Sequence, residues 1–79
     1  MDKKIVSITR YDTPYDSVVK AVDKCGGGEM LKAASKVFIK PNVVFWTRHV
    51  DFPKYGVITT SRVVEDMVKL LKDLGINDI

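Results

Sequence analysis

Lys40, Asn42, His49, Thr59 and Thr60 are the residues whose types and spacing could do chemistry in this chain. Lys40 follows the apolar run Val37-Phe38-Ile39 and precedes Pro41. A lysine beyond the end of a strand can bind a carboxylate or phosphate as a point charge, or simply enter solvent. Asn42 either ties down the loop backbone or orients a ligand, and loop structure is the plainer role. Thr59 and Thr60 open a helical pattern, where free amides and the helix dipole favour an anion. Capping alone also explains them. His49 and Asp51 are the types needed for acid–base work or metal binding, but two such residues in one loop are not a zinc signature. An ordinary hydrogen-bonded histidine explains His49 equally simply. Arg48 is a single surface cation or a contact for an acidic partner. Cys25 lies on the apolar face of a helical pattern and is the single cysteine, so it neither pairs nor holds a cluster. No bond-making step follows from these residues, so the chain is not assigned as an enzyme.

The elements that must position them read as strand, helix, short helix, strand, long loop, helix and incipient strand. Lys4–Arg10 is rich in β-branched residues and predicts a first strand, buried on both faces or with Val6 and Ile8 inward. Thr13-Pro14-Tyr15-Asp16 has the grammar of a helix start, with Thr13 as cap and Pro14 in the first turn. Val18, Val19, Val22 and Cys25 continue it at helical spacing. Gly26-Gly27-Gly28 then reads as a helix stop, because a phosphate loop needs a preceding strand, or Lys and a hydroxyl after the last glycine. A short helical segment over 29–34 leads to a second strand near Lys36–Lys40, which Pro41 ends. Residues 42–58 have no periodicity and carry Trp46, Phe52 and Tyr55. Thr60 or Ser61 caps the last helix, whose broad apolar face is Val63, Val64, Met67, Val68, Leu71 and Leu74, with Leu70 at its margin. Gly75 ends it, and residues 76–79 resemble the approach to another strand. Strands separated by helices predict an α/β fold, a largely parallel sheet with flanking helices. With a core this thin, residues 1–79 read as a single segment, the N-terminal part of a larger three-layer domain continuing beyond residue 79.

Composition narrows the classes. Apolar residues make up 46% of the 79, too many for a disordered tail. The net charge of +3, from 13 basic and 10 acidic side chains, forms no basic block, so nucleic acid is not expected as a partner. No apolar run reaches the roughly 20 residues of a membrane span, and the start lacks a signal-peptide core. The expected location is cytoplasmic, away from membranes.

Val37-Phe38-Ile39-Lys40-Pro41-Asn42, Gly56-Val57-Ile58-Thr59-Thr60-Ser61-Arg62-Val63-Val64 and Leu70-Leu71-Lys72-Asp73-Leu74-Gly75 together resemble the DUF362 family, a domain of unknown function. Ile58 and Ser61 depart from the family's helix-entry pattern. Many longer members are described as iron–sulfur proteins. The resemblance therefore implies an α/β segment of an electron-transfer protein, with 4Fe–4S clusters held beyond Ile79 and no cofactor within these residues. The family supplies no agreed substrate; a small anionic ligand near Lys40, with Asn42, Thr59, Thr60 and His49 as candidate contacts, is expected from the residues themselves, and a redox or protein partner with it. The alternative is a non-enzymatic interaction or scaffold domain using the aromatic-rich loop 44–55.

Overall fold

The computed structural model describes residues 3–43, 48–49, 51 and 58–79. Three helices carry the fold: α1 (Asp16–Lys24), α2 (Gly27–Lys32) and α3 (Ser61–Asp73). α1 packs against both α2 and α3.

α3 has the strongest local determinants. Thr60 is extended and its hydroxyl accepts from the Val63 amide at 3.4 Å, so one of the free amides of the first turn is satisfied. At the other end Gly75 adopts φ 91. Its amide donates to the Lys72 carbonyl and that of Ile76 to the Leu71 carbonyl, both at 2.9 Å. This is the double closure that a left-handed residue after a helix permits, and it brings Ile76 back over Leu71. Among the described residues Leu70, Leu71 and Ile76 are the buried apolar ones. Burial of each leucine contributes roughly 1.5–3 kcal/mol. Leu70 therefore belongs to the core and not to its margin.

α1 starts differently from its sequence grammar. Tyr15, not Thr13, precedes the first helical residue, and it holds φ 69 with no side-chain cap. The amide of Tyr15 donates to Asp66 Oδ2 at 2.8 Å, which draws the chain out of the capping geometry. Thr13 is used instead in a turn closed by Ser17, whose Oγ accepts from the Thr13 amide at 3.0 Å and donates to Asp12 Oδ1 at 3.1 Å. The glycine run divides its labour. Gly26, at φ 76, breaks the chain between α1 and α2, whereas Gly27 and Gly28 form the first turn of α2.

The expected parallel sheet is overturned. Among the described residues there is no strand, and the strand-like pairing is one parallel bridge between Lys36 and Asp78, with the Val37 amide donating to the Asp78 carbonyl at 3.0 Å. The reason is visible in residues 4–10. Their partly covered polar positions are Ser7, whose Oγ donates to the Ala21 carbonyl of α1, and Thr9, whose hydroxyl is buried without a partner among the described residues; just beyond them Tyr11 donates to Asp66 of α3. Val6 and Ile8, expected inward, are 84% and 91% exposed. Phe38 of the expected second strand is 87% exposed. The α/β fold class and the three-layer fragment are thus corrected, among the described residues, to three helices and no strand, and the resemblance to DUF362, which requires that sheet, falls with them. No helix of the described residues is long and apolar enough to cross a membrane.

Candidate functional site

The site is built on one stripe of α3. Arg62, Asp66, Lys69 and Asp73 recur every three or four residues and so share a face of the helix. Two tyrosines from the chain around the start of α1 close over it. Tyr11 donates its phenol to Asp66 Oδ2, which also accepts the Tyr15 amide. The Tyr15 phenol donates to Asp73, and Lys69 Nζ lies 4.0 Å from the centre of the Tyr15 ring. Lys69 takes this ring face and forms no ion pair with Glu65.

The electrostatics follow from the clasp. Hydrogen bonds from the Tyr11 phenol and the Tyr15 amide hold the Asp66 carboxyl below its ordinary range. Partial burial opposes that shift, while Arg62 and Lys69 reinforce it. Tyr11 is pushed up, first by burial and then by its bond to Asp66. Tyr15 is pushed up to about 12, chiefly by its bond to Asp73. Neither phenol is poised to give up a proton near neutrality.

Beside the clasp lies a cleft of about 510 Å³ lined by Tyr11, Thr60, Ser61, Arg62 and Val63. The amides of Ser61 and Arg62 open at the positive end of the α3 dipole, and neither has a protein acceptor among the described residues. α1 and α2 each place an acid in the first turn, Asp16 and Glu29, whereas α3 has none and carries Arg62 there. A second cleft of about 500 Å³ runs along Pro41, Val43, Thr59, Ser61, Val64 and Glu65. Among the described residues its one ionisable lining residue is the carboxylate Glu65, which disfavours an anion.

The sequence-derived candidates divide between these places. Asn42 and Thr59 meet: the Thr59 amide donates to the Asn42 carbonyl at 2.7 Å, and the Asn42 amide to Thr59 Oγ1 at 3.1 Å. They latch the two ends of the 42–58 connection at the entry to α3. Thr60 caps α3 and lines the first cleft. Lys40 is exposed and lines neither cleft. His49 and Asp51 are exposed, and His49 has an interaction partner. Trp46, Phe52 and Tyr55 lie outside the described residues. Tyr11, Tyr15 and the Arg62–Asp73 stripe were not singled out from the sequence. Their signal was the 62, 66, 69, 73 spacing of charges on one helix face.

Two functional expectations are corrected here. The iron–sulfur electron-transfer reading loses the fold it depended on, and the described residues contain no group of three or more His, Cys, Asp or Glu side chains that could hold a metal ion. Cys25 is a lone thiol directed at the Ala21 and Val22 carbonyls of its own helix. The scaffold reading finds no support either: no aromatic cluster is present among the described residues, and Trp46, Phe52 and Tyr55 of the 44–55 loop on which it rested lie outside them. Comparison with protein-family models, with curated proteins and with solved structures finds no match to this chain.

Proposed function

We propose that the chain is a non-catalytic binding domain for a small anionic molecule, a carboxylate or phosphate, taken up at the mouth of α3. The observation that carries this reading is Arg62. A cation in the first turn of a helix is repelled by the dipole, and the arrangement becomes favourable when an anion bridges the guanidinium and the free amides of Ser61 and Arg62. Thr60 and Ser61 add hydroxyls at the same rim. Tyr11 has its proton committed to Asp66, so it offers a ring wall, with Val63, for an apolar or planar remainder of the ligand. Asp66 is the opposing charge, but two protein donors already occupy it and Arg62 and Lys69 flank it. In this reading Asn42 and Thr59 fix the helix entry. Lys40 contributes long-range positive potential from outside the cleft, and His49 has no ligand contact.

Amide chemical shifts recorded during titration with inorganic phosphate and with benzoate test the reading. The expected result is saturable shifts centred on Ser61, Arg62 and Val63, with a shift of the Tyr11 ring for benzoate. Uniform small shifts spread over all lysines and arginines would overturn it.

A further inference from the structure

From Lys3 to Asp12 the chain runs without a turn or bend. Exposure alternates from Val6 to Tyr11: Val6, Ile8 and Arg10 are exposed, while Ser7, Thr9 and Tyr11 are partly covered, and Ile5 before them is 65% exposed. A period of two is that of an extended chain. The covered side is fastened at Ser7 to the Ala21 carbonyl and at Tyr11 to Asp66. The open side reads Lys4, Val6, Ile8, Arg10: two cations framing two bare β-branched side chains. Among the described residues, no backbone amide or carbonyl from Lys4 to Arg10 has a hydrogen-bond partner.

A pre-aligned extended segment with free backbone groups is what β-strand addition uses. We propose that residues 4–10 receive an antiparallel strand from a partner whose facing residues read acid, apolar, apolar, acid at alternate positions. Charge selects the occupant. Acids opposite Lys4 and Arg10 complete both ends of the strand, and apolar residues between them cover Val6 and Ile8. A second copy of this chain is the wrong occupant. The self-pairing that sets Val6 against Ile8 also sets Lys4 against Arg10 twice, and like charges directly opposite are unfavourable. This edge is separate from the mouth of α3 and does not depend on anion binding there.

The test uses two end-capped peptides with the whole chain, Glu-Thr-Val-Thr-Ile-Thr-Glu and its counterpart with lysine at both ends. Amide hydrogen exchange and chemical shifts report the location, and fluorescence anisotropy of labelled peptides reports affinity. The acidic peptide should slow exchange between Lys4 and Arg10 and bind about tenfold tighter than the basic one, a preference that weakens with salt. The double variant Lys4→Glu, Arg10→Glu should invert that preference. Both positions are exposed, so retained helical circular dichroism is expected. Equal binding of the two peptides, protection elsewhere in the chain, or no binding to the wild type would overturn the proposal. So would protection of residues 4–10 by self-association in the absence of peptide.

Discussion

At the scale of single residues, Asp66 and Tyr15 set the geometry. One carboxylate oxygen accepts both a phenol and an amide, and the residue that donates the amide takes a positive φ of 69 in a tight turn closed by the Asp16 amide on the Pro14 carbonyl. The same bonds make stability depend on pH with a definite sign. Asp66 is held below its ordinary value of 3.8, so its contribution is full above that value and is lost as pH falls through the lower folded value. Tyr15 is raised from 10.0 to about 12, so the folded state binds its proton more tightly. That contribution is full below pH 10.0 and is lost as pH rises to about 12, and Tyr11 acts in the same direction. Urea midpoints measured across the alkaline window should fall steeply for the wild type and less for Tyr15→Phe. Equal slopes would show that the Tyr15–Asp73 bond is not made in solution. None of this was legible in the sequence, because two tyrosines and a charged stripe 51 to 58 residues apart are related only by the packing of α1 on α3.

At the scale of elements, local chemistry explains the helices and fails for the strands. Val63, Val64, Met67, Val68 and Leu71 announce α3 by their period, Thr60 marks its start and Gly75 its end. These signals act within one or two turns and need no distant partner. Strand propensity, by contrast, measures how a side chain packs in a pleated surface that other strands must supply. Val6 and Ile8 have the propensity but meet no such surface, while Ser7 and Tyr11 are held by helices. The closure of α3 offers an element-scale test. A Cβ at Gly75 would meet nothing within 4 Å, so Gly75→Ala isolates the cost of the left-handed backbone. The loss should be roughly 1–2 kcal/mol by urea denaturation. An unchanged midpoint would mean that the double closure over Leu71 contributes nothing.

At the scale of the whole molecule, a small core of Leu70, Leu71 and Ile76 supports two separate open features. One is the mouth of α3, where amides, hydroxyls and a guanidinium gather with no acid in the first turn. The other is the Lys4–Arg10 edge. The candidate residues chosen from the sequence came close to the first, since Thr60 lines the cleft and Asn42 and Thr59 latch its helix entry. Arg62 escaped because a lone surface arginine carries no pattern until its place in the first turn of α3 is known. The decisive measurement is calorimetric titration of inorganic phosphate into the wild type and into Arg62→Gln, with folding of both monitored by circular dichroism. Binding that weakens about tenfold or more on loss of the guanidinium, and that declines with added salt in the wild type, is the predicted result. Equal affinity of the two proteins, or no binding to the wild type, would contradict an anion site at the mouth of α3.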